Sequence, residues 1–394
     1  MRVASASFLA VALTCFSCLC VSSVSAQSGG RAAKVKVFIL AGQSNMEGKG
    51  FPEPVSYQVT QAQYRDRYTH FIAGGDHGSF TAKLQASVDE DPKQPLYDWS
   101  VRQDVWVNFL GKHGDLTVGY GVPSKCFGPE YNFGHAVGDH FDEQVLLIKT
   151  AWGGKSLGRD FLSPSSALPT DKEFAAMVEE KNAQIRKRNE KDPSKAKPLI
   201  TREELEAPYG HFYREMLKQV RETLADLKNR FPSYAGQGYE IAGFVWFQGW
   251  NDQFNDQWSS SYGEYLANFI RDVRKDLAVP HLPVVIGVIG FDGMRESRPG
   301  KDGGDSARVK IQRGQASMAD RSEFKGNVRV VETKHFWDMD AEAIYRGEGG
   351  WSADIEKWHQ FGNERPYHYY GSPWFFAQAG TAFGTSMLEM LKGR

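Results

Sequence analysis

Five short apolar runs, residues 35–40, 145–151, 241–247, 283–290 and 328–333, restrict what this chain can become more than any other feature of it. Each is too short for an ordinary helix and rich in β-branched residues, so the expected state is a strand covered on both faces. Between the runs apolar residues recur at helical spacing, as over residues 209–230, where Phe212, Met216, Val220 and Leu224 fall on one face. Further helices are expected over residues 131–141, 172–188, 262–277, 307–319 and 373–391. Strands alternating with helices predict a five-stranded parallel sheet between two helix layers, a three-layer α/β/α sandwich.

The 394 residues exceed the roughly 250 to 300 at which single cores usually stop growing. We read one enlarged domain over residues 27–394, with the surplus in an insertion after the first strand, at about residues 51–125. That section has turn signals at Gly74-Gly75, Gly111 and residues 119–121 and little helical periodicity, so it is expected to pack as a cap beside the first strand. Its aromatics, including Tyr97, Trp99 and Trp106, serve either a sugar site or the core.

At the start of the chain Arg2 precedes an apolar segment that Ser and Thr interrupt and that ends in Val24-Ser25-Ala26. This is the pattern of a secretory signal peptide cleaved after Ala26, where a membrane anchor would need about 20 predominantly apolar residues. The expected location is secreted or periplasmic, with no membrane attachment after cleavage. Cys15, Cys18 and Cys20 leave with the peptide, so Cys126 has no partner for an internal disulfide and reads as a buried small hydrophobe. Cleavage also removes one arginine and no acid, taking the formal charge from −1 to −2. A chain so close to neutral is not built to bind nucleic acid. Its basic run over residues 181–197 is interleaved with Glu190 and Asp192, lacks aromatics, and reads as a solvated helix end.

The first run continues as Val35 to Gly50, VKVFILAGQSNMEGKG. Gly42 would relieve crowding where the chain leaves the strand, and Ser44 then sits at the carboxyl edge of the sheet, where open α/β sheets bind ligands. Gly42, Ser44 and Asn45 alone fit a turn-capping serine equally well. The second run delivers Trp152-Gly153-Gly154-Lys155-Ser156, and the third Gln248-Gly249-Trp250-Asn251-Asp252. His368 precedes the last helix. In a parallel sheet these ends can converge on one crevice, with a nucleophile, a base and donors for an oxyanion, which is the inventory of acyl transfer.

The longer string GQSNMEG resembles the first block of the SGNH (GDSL-like) hydrolases, in the branch of sialate O-acetylesterase-like proteins and carbohydrate acetyl esterases. The resemblance implies a flavodoxin-like SGNH fold and an exported serine esterase acting on O-acetyl groups of carbohydrates. Residue by residue it assigns Ser44 as nucleophile and first oxyanion donor, Gly154 as second donor with Gly153 the adjacent alternative, Asn251 in GWND as third, and His368 as base. One position departs from the family pattern: Arg365 stands where an aspartate usually precedes the histidine by three residues. Glu364, Asp338 or Asp340 would orient the imidazole, or none does.

The same residues support rival readings. Gly154-Lys155-Ser156-Leu157-Gly158 matches G-x-S-x-G after a strand, but the α/β-hydrolase elbow also needs a helix directly after its serine, and Pro164, Pro169 and the serines between them oppose one. His335 and His359 compete with His368. Trp246 reads as core, while Trp250 and Trp337 are the better stacking faces for a sugar. A non-catalytic glycan-binding protein on the same fold would explain the missing aspartate. No metal-ligand spacing, P-loop or dinucleotide fingerprint occurs, so no metal or cofactor is expected.

Overall fold

The computed structural model describes residues 33–72, 99–291, 293–295, 299–300 and 303–392. The signal-peptide reading, Gly74-Gly75 and Tyr97 lie outside them. All five expected strands form: β1 (Val35–Gly42), β4 (Val145–Ala151), β5 (Tyr239–Phe247), β6 (Val284–Val288) and β7 (Val328–Glu332). The insertion contributes two more, β2 (Arg102–Phe109) and β3 (Lys112–Leu116). The sheet is therefore seven-stranded and mixed, in the order β3-β2-β4-β1-β5-β6-β7, which corrects the five-stranded parallel expectation. Six strands run parallel, and β3 is an antiparallel edge paired with β2.

Part of the insertion is thus sheet, not a cap. The hairpin was hidden by its turn: Leu110 and Gly111 take left-handed φ of 48° and 90°, where the usual sequence signal is Asn-Gly or Asp-Gly. The edge strand KHGDL also lacks a hydrophobic alternation. Trp106 lies in β2, almost fully buried and stacked on Phe231, so it belongs to the core.

The helices that position the site are α1 (Ser44–Glu47), α2 (Glu130–Gly138), α3 (Asp171–Lys191), α4 (Arg202–Glu206), α5 (His211–Ala225), α6 (Asp256–Asp276), α7 (Ala307–Ala316), α8 (Met339–Arg346) and α9 (Pro373–Leu391). The helix expected over residues 209–230 breaks at Asp226, and a separate short turn follows. Alternate residues of β1 serve the two faces. Phe38 and Leu40 pack under α2 and α9, while Val37, Ile39 and Ala41 pack under α5 and α6, so both faces of the sheet are covered by helices. Strand β1 is central, with β4 on one side and β5 on the other. The chain leaves it at the point where strand order reverses, the position at which open sheets place ligands.

Candidate active site

Where β1 ends the backbones crowd. A Cβ on Gly42 would stand 2.1 Å from the carbonyl oxygen of Phe247 in β5, so only glycine fits. The chain then turns into α1, a single turn whose first residue is Ser44. Ser44 Oγ lies 2.9 Å from His368 Nε2, and the two residues are 324 positions apart in the chain. The crevice thus holds a hydroxyl and an imidazole at the distance proton transfer requires.

A strained loop holds His368. Tyr369, Tyr370 and Gly371 have φ of 50°, 62° and 68°, a left-handed run that bulky residues rarely adopt, at about 1–3 kcal/mol for each such side chain. The surroundings fix it. Tyr369 Oη accepts the Gly290 N–H at 2.9 Å and its ring stacks on Phe375. The Tyr370 ring packs among Trp337, Tyr345 and Trp358, and its carbonyl accepts the N–H groups of Asn363 and Glu364. The last contact closes the loop on itself and brings Glu364 beside His368.

Glu364 Oε2 stands 3.4 Å from His368 Nδ1, an ion-pair distance outside hydrogen-bond geometry. It also accepts the Arg365 N–H at 3.0 Å. The imidazole beside it holds the Glu364 carboxyl below the usual glutamate range. Asp338 is committed elsewhere: it caps α8 through the N–H groups of Asp340 and Ala341 and accepts the Ser372 hydroxyl at the start of α9. Asp340 lies against Tyr64. Of the three acids raised by the sequence, Glu364 is the one beside the imidazole. His335 and His359 are exposed, and neither bonds to Ser44. Glu364→Gln is expected to lower kcat about tenfold, well short of the roughly 10⁴-fold cost of removing the carboxylate from a fully hydrogen-bonded triad. An unchanged kcat would show that Glu364 does not act on His368.

Three N–H donors stand just beyond the ends of β1, β4 and β5. The Ser44 N–H, first in its helical turn, has no intrahelical acceptor. Gly154 follows β4 with a left-handed φ of 74°, and its N–H bonds to no described residue. Gly153 is occupied, its N–H donating to Glu47 Oε1 at 2.7 Å, so of the two glycines Gly154 is the one whose N–H has no described partner. Asn251 follows β5, and its Oδ1 accepts from Gln43 Nε2 at 3.3 Å, leaving Nδ2 without a described partner. The same Gln43 takes the N–H groups of Gly249 and Trp250 on Oε1, each at 3.0 Å, and so ties the β1 turn to the β5 turn.

Sequence reasoning missed the residues that hold these donors. Asp252, fully buried, accepts from Leu157 N–H, Gly158 N–H and Gln248 Nε2, and so fixes the loop that carries Gly154. Burial pushes its carboxyl up to about 6. The available signal was polar residues crowding three strand ends that ought to be buried, in QSNME, in Gly154 to Ser156 and in QGWND.

Ser156 does not form an elbow. It is buried, its hydroxyl donates to Asp160 at 2.8 Å, and turns follow it instead of a helix. Trp250 lies at the rim, 5.5 Å from the Tyr367 ring, which in turn touches His368. Trp337 corrects the expectation of a second sugar face, since it is 5% exposed and wedged against Tyr369 and Tyr370. Trp246 is core, as expected. Among the described residues no helix is long and apolar enough to cross a membrane.

A family model described as carbohydrate esterase, sialic acid-specific acetylesterase, matches residues 34–191 and 200–340. Ser44, Gly154 and Asn251 fall inside the matched segments, and His368 lies beyond them. Among solved structures, a protein from Arabidopsis thaliana is 15% identical over 91% of this chain and 99% of its own, with a TM-score of 0.46. A carbohydrate acetylesterase from Xanthomonas citri is 11% identical over 91% of this chain and 57% of its own, with a TM-score of 0.44. NanS is 12% identical over 92% of this chain and 98% of its own, with a TM-score of 0.40. No curated protein matches the chain.

Proposed function

We propose that this chain, which belongs to the carbohydrate esterase family of sialic acid-specific acetylesterases and is thus a carboxylic ester hydrolase, removes O-acetyl groups from carbohydrates through Ser44 and His368. The contact between Ser44 Oγ and His368 Nε2 at 2.9 Å carries this reading. Ser44 Oγ attacks the acetyl carbonyl as His368 takes its proton. The oxyanion that forms lies among the N–H groups of Ser44 and Gly154 and the Nδ2 of Asn251. His368 then gives its proton to the leaving sugar hydroxyl, freeing the sugar and leaving an acetyl group on Ser44. In the second half His368 activates a water, which attacks the acetyl-enzyme and releases acetate.

Export of a single domain, residues 27–394, belongs to the same proposal and rests on the pattern of residues 1–26. Acetate release from acetylated xylan and from p-nitrophenyl acetate tests the chemistry. Asn251→Ala should lower kcat about 10²- to 10³-fold with a small change in KM, because the amide is strongest toward the charged transition state. An unchanged rate removes Asn251 from the oxyanion site. A protein that binds acetylated glycans and releases no acetate from any ester would instead be the glycan-binding form of the fold, a reading that the weakly held imidazole favours.

A further inference from the structure

The basic run after residue 180 is exposed, as a solvated helix end should be, and it also forms one wall of a pocket. Helix α3 buries only Phe174 and Asn182, so little apolar packing holds it down. Two asparagines do the holding. Asn182 pairs through both amide atoms with the backbone of Ile200, at 3.0 and 2.8 Å, and Asn189 does the same with Lys197, at 2.7 and 2.8 Å. Seven residues apart on one helix face, they clamp the returning chain along α3. Capping boxes at Thr170 and Thr201 fix the starts of α3 and α4.

Between α3, the returning chain and α4 lies a cavity of about 490 Å³. Lys181, Arg188, Lys197 and Arg159 line it, against the single carboxylate of Glu204. Lys181 and Arg188 are also seven residues apart, with Gln184 and Ile185 between them, so these four side chains form one stripe facing the cavity. A stripe with this spacing usually buries apolar residues, but here cations occupy both ends. Among the described residues Lys181, Arg188 and Lys197 form no ion pair. Between the charges the walls are aliphatic: Ile185, Ile200, Leu205 and Pro208.

We propose that this cavity binds an anionic sugar unit, carrying a carboxylate or a sulfate ester, of a polysaccharide chain. The aliphatic patches suit the C–H faces of a pyranose, and the cations suit its anionic group. Nothing aromatic lines the cavity, so it lacks the stacking platform on which proteins hold single-stranded nucleic acid. Arg159 connects it to the chemistry. It follows Gly154 in the same loop, beside Asp160, and the Asp252 contacts at Leu157 and Gly158 hold that loop under the crevice. The assignment of this sugar as part of the esterase substrate rests on the acetylesterase reading, but binding itself does not.

The test is affinity electrophoresis of the full chain in gels containing polygalacturonate, κ-carrageenan or neutral xylan, beside the K181E/R188E variant. Both replaced side chains are exposed, and p-nitrophenyl acetate hydrolysis by the variant should equal that of the unmutated protein. Retardation by polygalacturonate or κ-carrageenan that falls with salt, and that weakens about tenfold or more in the variant, supports the site. The gel that retards names the anionic group. Equal retardation of variant and unmutated protein, retardation by neutral xylan alone, or no retardation overturns it. A single-stranded oligonucleotide that is held as tightly as the polysaccharide, with the same loss in the variant, overturns the sugar assignment. If retardation follows the prediction while no acetate is released by the unmutated protein, the acetylesterase reading fails and the anionic site stands.

Discussion

Ser44→Ala is expected to lower kcat for acetate release on the order of 10⁶-fold, and His368→Ala by a similar amount. In the proposed mechanism the two side chains act as one unit across their 2.9 Å contact, so removing either removes the proton-transfer path for both halves of the reaction. The double variant should therefore be no slower than either single one. Residual catalysis from the Gly154 and Asn251 donors sets that floor, about 10³- to 10⁴-fold above the uncatalysed rate. KM should change little, because Ser44 is 8% exposed and makes its critical bond only as the carbonyl is attacked. Ser156→Ala is the comparison. Its hydroxyl is already given to Asp160, so its loss should cost about 1 kcal/mol of stability and leave hydrolysis in place. If Ser156→Ala abolishes release and Ser44→Ala does not, the proposed mechanism is wrong. Single and double variants whose losses multiply would show that Ser44 and His368 act independently.

The positions of Ser44, Gly154 and Asn251 were legible in the sequence because the apolar runs marked β1, β4 and β5, and parallel strands send their carboxyl ends to one edge where such residues can converge; their roles came from the family resemblance. What stayed hidden was set by contacts with no local signature. The pairing of Glu364 with His368 depends on a left-handed turn at two tyrosines, a conformation that sequence would not assign to such residues. Asp338 looked equivalent on paper, yet burial and three committed hydrogen bonds make it a helix cap. Strands β2 and β3 escaped for a different reason. One is polar at its first turn of alternation and the other sits at an edge, where the hydrophobic pattern fades.

The hidden insertion matters because it completes a buried charge behind the turn that carries Ser44. Lys149 of β4 and Glu130 of α2 are both fully buried and pair at 3.0 Å. The ammonium also donates to the carbonyl of Glu47 at 2.7 Å and to that of Tyr120. Glu130 accepts the Gly128 N–H on its other oxygen at 2.9 Å. Phe109 of β2 lies beneath the ammonium, 4.2 Å from ring centre to nitrogen, so β2 and Tyr120 together enclose it. Burial pushes Lys149 down and Glu130 up, and their mutual attraction opposes both shifts. Glu47 closes α1, the turn that begins at Ser44, so the ammonium anchors the far end of that turn.

Lys149→Met should consequently act twice. Leaving Glu130 buried without a partner should cost roughly 3–5 kcal/mol. For a chain of this size, at about 2.1 cal/mol/K per residue, that is a fall in Tm of roughly 4–7 °C. The turn also loses its anchor, so kcat should fall further than KM changes. Adding Glu130→Gln separates the two effects. The neutral amide removes the orphaned charge and can still accept from Gly128, so most of the lost Tm should return. The Glu47 carbonyl remains without its donor, so kcat should stay low. A double variant that regains both Tm and kcat would reduce the pair to a stabilising role, and a Lys149→Met protein with unchanged Tm would contradict the burial of the pair itself.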